Sequence, residues 1–406
     1  MSLDNLIVLK FGGTSVGSIK KIKKVAQLIK KYSVKYKRII VVSSAMSGIT
    51  NEYIKKSKQI GKNFDKYEYD VLISSGEQIA CSLLAGALLN LGIKSRSWLS
   101  WQIPIMTDDD HKSSKIKTIN KKNIIKYINS GGIPIITGFQ GISKNMRITT
   151  LGRGGSDATA ISIAKFFNAD NCIICTDVDG VYSTDPNLNK KAKKINKISF
   201  EEMLEMASTG AKVMQPISIQ DAMINDINIK VRSTFSKNSG TIISNSQSTT
   251  NKNVVTGITF TKNEAKITLV GVTDKPGVAA AVFKPLTDNG ISVDMVVQSI
   301  AADGKETNLT FTIKKEDVKK SIKVLKNNKK ISCKKILYDD NVSKVSIVGA
   351  GMISEHGVAY RMFKVLSKQK INIMVISTSE IKISVLINQK HIKKAIKFLH
   401  KEFNLE

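Results

Sequence analysis

Residues 266–295 read KITLVGVTDKPGVAAAVFKPLTDNGISVDM, and residues 344–375 read KVSIVGAGMISEHGVAYRMFKVLSKQKINIMV. With two extra residues in the first loop of the later copy, Gly277 aligns with Gly357, Phe283 with Phe363, Leu286 with Leu366 and Ile291 with Ile371. Each copy reads as a strand, a glycine-containing loop, an amphipathic helix and a strand. A further strand follows in each, Asn308–Ile313 and Lys382–Ile387, and a closing helix ends near Asn327 or near Phe403. A segment of this kind used twice is a repeated βαββαβ module. We expect one module over 266–335 and a second over 343–406.

Toward the N-terminus the rhythm changes. Short apolar runs at Leu6–Leu9, Ile39–Val42, Val71–Ile73, Ile133–Ile136 and Cys172–Cys175 read as strands. Between them lie helical patterns, such as Lys20–Tyr32, with Ile22, Val25, Ala26, Leu28 and Ile29 on one face, and a helix running from a Gly76 turn through Leu91. Alternation of this type predicts an α/β domain over 1–245, a mainly parallel sheet with helices on both faces. Ligands in such sheets bind at the carboxyl ends of the strands. The polar run Asn245–Asn253 reads as a linker, so 246–265 becomes linker and entry strand.

The chain has 406 residues, 42% hydrophobic and 24% charged, ordinary for a globular protein of several domains. No run approaches the ~18–20 apolar residues of a membrane span. The first ten residues read as a strand rather than a signal peptide, so a cytoplasmic protein without membrane partners is expected. The formal charge is +30, yet only 6 of the 63 basic residues are arginine and the lysines are scattered. Base readout and phosphate clamps favour arginine, so the charge reads as a Lys/Ile/Asn bias and no nucleic-acid partner is expected. Cys172 and Cys175 form a C-x-x-C within an apolar strand with no second ligand pair, which suits buried small hydrophobes better than a metal site.

Four segments carry chemistry. Lys10-Phe-Gly-Gly-Thr-Ser15 follows a strand; its glycines allow a phosphate to approach Gly12 and Gly13 closely, and Lys10 supplies charge. Thr149-Thr-Leu-Gly-Arg-Gly-Gly-Ser-Asp157 sets Arg153 among Gly152, Gly154 and Gly155 and opens an alanine-rich helix at Ser156 and Asp157. Helix capping explains one of those last two but not the arginine, which suits a bidentate grip on a carboxylate. Thr176-Asp-Val-Asp-Gly-Val-Tyr-Ser-Thr-Asp-Pro186 follows a strand and reads as a polar turn or a nucleotide site. Glu77, in Ser74-Ser-Gly-Glu77, begins a helix in this reading. Ser44-Ala-Met-Ser-Gly-Ile-Thr50 and Thr209-Gly-Ala-Lys212 are weaker pieces of the same kind. The four histidines, His111, His356, His391 and His400, lie outside all of these.

In order and spacing, these segments with Gly138-Phe-Gln-Gly141 and the C-terminal repeat resemble the aspartate kinase family over essentially the whole chain. The resemblance implies an amino-acid-kinase αβα sandwich followed by paired ferredoxin-like ACT modules, with ATP and Mg²⁺ as cofactors and L-aspartate as acceptor. It implies that Arg153 holds the substrate's α-carboxylate and that Glu77 and Asp157 hold its ammonium, with Ser44, Thr50, Gly154, Gly155 and Ser156 alongside. Lys10, Phe11, Gly12, Gly13, Thr176, Asp177, Tyr182, Asp185 and Lys212 would serve the nucleotide, and no residue is expected as a direct metal ligand. Lysine, threonine or both would act as effectors on Asp274, Lys275, Gly277, Val278, Asp294, Gln298, Asn372 and Ile373, and the modules would pair into a homodimer or higher oligomer. Another kinase of the same fold acting on glutamate or a nucleoside monophosphate, or a non-catalytic amino-acid-binding regulator, are the competing expectations.

Overall fold

The structure, a computed structural model, describes residues 5–245, 253–300, 306–328 and 331–406; most of the expected linker lies outside the described residues. Two compact units result. The first comprises 1–181, 194–207 and 212–249, and the second 182–193, 208–211 and 250–406.

In chain order the first unit holds β1 (Leu6–Phe11), α1 (Ile19–Lys35), β2 (Arg38–Ser43), α2 (Ile49–Ile60), α3 (Lys66–Leu89), β3 (Ser95–Trp98), β4 (Ile105–Thr107), β5 (Ile116–Ile119), α4 (Lys122–Asn129), β6 (Ile133–Thr137), β7 (Gln140–Ile142), β8 (Ile148–Thr150), α5 (Gly155–Phe167), β9 (Asn171–Thr176), β10 (Lys197–Ser199), α6 (Phe200–Ser208), α7 (Pro216–Ile224), β11 (Ile229–Ser233) and β12 (Thr241–Ser244). Eight strands form one sheet in the order β10-β12-β11-β9-β1-β2-β6-β3, parallel throughout except for the β11–β12 pair. A small second sheet runs β5-β4-β7-β8. The continuous apolar run of β1 is explained by its central place: Leu6, Ile7, Val8 and Leu9 are all fully buried, as a strand covered on both faces requires. Ile7, Leu9 and Phe11 pack with Ile22, Val25 and Ile29 of α1 and Ala80, Leu84 and Leu88 of α3. Lys10, on the alternate face, meets α5.

One expected strand is corrected. Val71–Ile73 lies inside α3, a single helix of 24 residues. A three-residue apolar run cannot distinguish strand from buried helix. The helix starts earlier, where the Asp65 side chain accepts the N–H groups of Tyr67 and Glu68 at 2.8 and 3.1 Å. By length and composition α3 could cross a bilayer, and half of its apolar window is buried within the protein. It also carries two buried carboxylates, Asp70 and Glu77, which mark it as a core helix with polar duties.

The second unit holds β13 (Gly257–Thr273), α8 (Val278–Asp288), β14 (Val293–Ile300), β15 (Glu306–Ile313), α9 (Val318–Lys326), β16 (Lys335–Val348), α10 (Val358–Lys368), β17 (Val375–Ser379), β18 (Lys382–Asn388) and α11 (Ile392–Glu402). Its antiparallel sheet runs β14-β15-β13-β16-β18-β17. Two long strands serve both modules. The second half of β13 pairs with β15 and with the start of β16, whereas its first half, Gly257–Thr261, pairs with Lys344–Val348. The second module thus takes a fourth strand from chain that precedes the first. Each module has its own apolar core. The repeat alignment is realised in space: Gly277 and Gly357 cap α8 and α10 with left-handed φ of 88° and 80°, Leu286 and Leu366 are fully buried, and Ile291 and Ile371 are each 4% exposed.

Candidate active site

Five parallel strands of the first unit end along one edge, and backbone hydrogen bonds stitch those ends together. Thr234 N–H donates to Thr176 O at 2.8 Å, Gly12 to Cys175 at 3.2 Å, Ser44 to Phe11 at 3.0 Å and Gly138 to Ser43 at 3.0 Å. Lys10, Ser44, Gly138 and Thr176, each from a different sequence motif, are therefore neighbours on one rim.

Lys10 is 9% exposed and its Nζ lies 2.5 Å from Oδ1 of Asp157 in the first turn of α5. Asp157 is thus engaged by the lysine rather than standing free. The two glycines after Lys10 differ. Gly12 spends its N–H on Cys175, while Gly13 N–H has no partner among the described residues and remains available to an anion. A side chain at Gly13 would meet Ala45 O at 2.8 Å, so the close approach of two strand ends requires glycine there. The loop does not open α1 directly: that helix begins at Ile19, capped by Ser18, whose hydroxyl accepts Lys21 N–H at 3.3 Å.

Glu77 lies near the middle of α3, not at a helix start, so the helix dipole does not account for it. It is 3% exposed. Its Oε1 accepts Ala45 N–H at 3.0 Å and its Oε2 is buried with no partner. Burial pushes its carboxyl up to about 8. A buried carboxyl with one open oxygen is set to receive a cation. Gly76 makes this approach possible, since a Cβ there would meet Ala45 Cβ at 2.9 Å.

The arginine loop enters from β8. Gly152 and Gly154 have φ of 72° and 76°, and Gly154 caps α5. Arg153 is exposed between them, with no partner among the described residues. Ser156 and Asp157 are buried beneath it, and Ser156 packs on Gly138, where a Cβ would meet it at 2.8 Å. Thr50 lies part-buried in the first turn of α2.

Of the residues expected to serve the nucleotide, Thr176 closes β9 and donates its hydroxyl to exposed Asp177 at 3.1 Å. Lys212 is exposed ahead of α7. Tyr182 and Asp185 belong to the segment 182–193 of the second unit, where Asp185 accepts Asn187 N–H at 2.8 Å. Two residues inside the quoted motifs, Asp179 and Gln140, were not singled out by the sequence reading. Asp179 binds the Ser236 hydroxyl and Asn238 Nδ2, tying the turn after β9 to the segment after β11. Gln140 donates to Ser74 O at 2.9 Å and ties the Gly138–Gly141 motif to α3. Nothing local in the sequence marks partners 57 or 66 positions away. Cys172 and Cys175 are buried free thiols, and burial pushes Cys175 up to about 12.

In the second unit, Asp274, Lys275, Gly277, Val278 and Gln298 line one cavity of about 390 Å³. Gln298 Nε2 reaches Asp274 Oδ1 at 3.5 Å. Asp294 is not part of it: it pairs with Lys344, in a second cavity of about 410 Å³ that Glu264 and Ser384 also line. Asn372 and Ile373 precede β17 in the other module and line neither cavity.

Residues 5–233 match the model of the amino acid kinase family, and residues 267–328 and 345–403 match that of the ACT domain. An aspartate kinase of Stutzerimonas stutzeri is 43% identical over 99% of this chain and 98% of its own length. The aspartokinase of Helicobacter pylori is 42% identical over 99% of this chain and 100% of its own. Among solved structures, E. coli aspartokinase III with aspartate and ADP shares the fold, with a TM-score of 0.81 at 24% identity, covering 98% of this chain and 100% of that one. A chain with an amino-acid-kinase unit that pairs Lys10 with Asp157, joined to a paired ACT repeat and matched over nearly its whole length by these relatives, belongs to the aspartate kinase family.

Proposed function

We propose that this chain transfers the γ-phosphoryl group of ATP to the side-chain carboxylate of L-aspartate, giving 4-phospho-L-aspartate, the entry to lysine, threonine and methionine synthesis in the cytoplasm. The observation that carries this is the buried Lys10–Asp157 pair, together with a buried, half-satisfied Glu77 that holds the chain just after β2 at Ala45. The nucleophile is a carboxylate with an ordinary pKa near 4, so it needs no general base at neutral pH. The difficulty is repulsion between two anions, and catalysis is a matter of positioning and charge. Lys10 neutralises the transferring group, Asp157 holds Lys10 in place, and Gly13 N–H adds a donor. Glu77 takes the substrate's ammonium and Arg153 its α-carboxylate. Thr176, Asp177 and Lys212 serve the nucleotide. Among the described residues no three His, Cys, Asp or Glu side chains cluster as a metal cage. A Mg²⁺ carried on the nucleotide's phosphates would supply further charge neutralisation there.

The second unit acts as the sensor. Lysine, threonine or both bind at the Asp274–Gln298 cavity, and the modules pair between subunits of a dimer or larger oligomer. The test is ATP-dependent formation of aspartyl hydroxamate, with and without each amino acid. Product with glutamate but not aspartate would reassign the acceptor. No product with either would leave an amino-acid-binding regulator.

A further inference from the structure

Helix α3 carries a second carboxylate, Asp70, about two turns before Glu77. It is fully buried. It accepts four hydrogen bonds: from His111 Nδ1 at 2.7 Å, Lys112 N–H at 3.2 Å, Thr150 N–H at 3.1 Å and the Thr150 hydroxyl at 2.6 Å. Three of these reach Oδ2 and one reaches Oδ1, so both oxygens of Asp70 are engaged.

Its partners lie on two pieces of chain that meet at the arginine loop. Thr150 ends β8 and is followed directly by Leu151-Gly-Arg153. The turn containing His111 and Lys112 presses on that loop: a Cβ at Gly152 would lie 3.1 Å from Lys112 O. Ser114 N–H also donates to Thr150 O at 2.9 Å. His111 is clamped in turn, its ring edge-on to Tyr67 with centroids 4.4 Å apart. Its Nε2 is buried without a partner among the described residues. The Asp70–His111 pair has the arrangement of an orienting device, a buried carboxylate that fixes a ring and two backbone segments at once.

We infer that Asp70 and His111 are positioning residues that fix Arg153 relative to Glu77, and so fix where the substrate's Cα sits with respect to Lys10. One helix holds Glu77 near its middle and grips the root of the arginine loop two turns earlier. The inference rests on the reading that Glu77 and Arg153 hold the two charged groups on that Cα.

Steady-state kinetics of His111→Leu, His111→Asn and Asp70→Asn test it. Asparagine keeps an N–H donor near the position of Nδ1; leucine removes it. His111→Leu and Asp70→Asn should raise KM for aspartate at least tenfold and leave KM for ATP within twofold, with His111→Asn recovering most of the loss. Equal rises in both KM values, or a lowered melting temperature with an unchanged KM for aspartate, would overturn the positioning role. Should Asp70→Asn not fold, the two His111 variants decide. Arg153→Lys separates the underlying reading: if it leaves KM for aspartate unchanged, the loop does not hold the substrate. If it raises that KM while His111→Leu does not, only the positioning inference falls.

Discussion

The loop ahead of α5 and the loop ahead of α8 are built alike and packed oppositely. Each runs from a strand into a helix capped by a left-handed glycine, Gly154 or Gly277. Around the first there is no room. A Cβ at Gly154 would meet the Gln215 side chain at 2.4 Å, and one at Gly155 would meet the Phe139 ring at 2.8 Å. Around the second there is space: a Cβ at Gly277 meets no atom within 4 Å, and the long Gln298–Asp274 contact spans the cavity beside it. Phosphoryl transfer loses rate when reacting groups are misplaced by an ångström, and a loop wedged in this way suits the positioning role proposed for Arg153. A sensor must leave contacts for its ligand to make, because only a difference in affinity between two states can shift their populations.

The sharpest break should come at the wedged site. Lys10→Ala should lower kcat by about 10²–10³-fold, the usual effect of losing one donor that faces developing charge, with a much smaller change in KM for aspartate. A variant keeping near-native kcat would remove Lys10 from the mechanism. Next come paired alanines at the two caps. Both pay the left-handed penalty of roughly 1–2 kcal/mol, but only Gly154→Ala also collides with its surroundings. We expect Gly154→Ala to cost at least tenfold in kcat/KM for aspartate and Gly277→Ala to cost less than threefold. Equal losses would erase the contrast between the loops. Within the open loop, Asp274→Ala or Gln298→Ala should raise the lysine or threonine concentration for half-inhibition about tenfold. If the native enzyme responds to neither amino acid, singly or together, the cavity is not a sensor.

The smallest effect concerns pH. Burial raises the Glu77 carboxyl from 4.5 to about 8, so the folded state holds a proton that the unfolded state has released between those values. The stabilisation is complete below pH 4.5 and is lost as pH rises through about 8, with a slope of up to about 1.4 kcal/mol per pH unit. Glu77→Gln should flatten that part of the stability profile. A substrate ammonium beside Glu77 favours its ionised form, so aspartate binding near pH 7 should release up to one proton. Calorimetry in two buffers of different ionisation enthalpy measures it.

Much of this was legible in the chain. The strand-then-glycine pattern placed Lys10 at a strand end, and the glycines around Arg153 announced a special loop. The alignment of Gly277 with Gly357 gave both modules before any coordinates. What was not legible was long-range. Val71–Ile73 is strand-like alone and becomes helix because Asp65 starts one earlier and the face packs on a sheet. Gly12 N–H belongs to Cys175, far along the chain. Asp70 looks like an isolated acid in an apolar run; its partners stand 41, 42 and 80 positions away.

The shared strands have a consequence for synthesis on the ribosome. Residues Gly257–Thr261 emerge early, but their β16 partners, Lys344–Val348, are made some eighty residues later. At ~5–20 residues per second that is a wait of roughly 4–16 seconds. During it the whole first module can close, while the second has one strand in hand and no sheet. The ribosome therefore delivers the open loop ahead of α8 first and the remainder of its unit last, with the half-used strand as the register on which the later module docks.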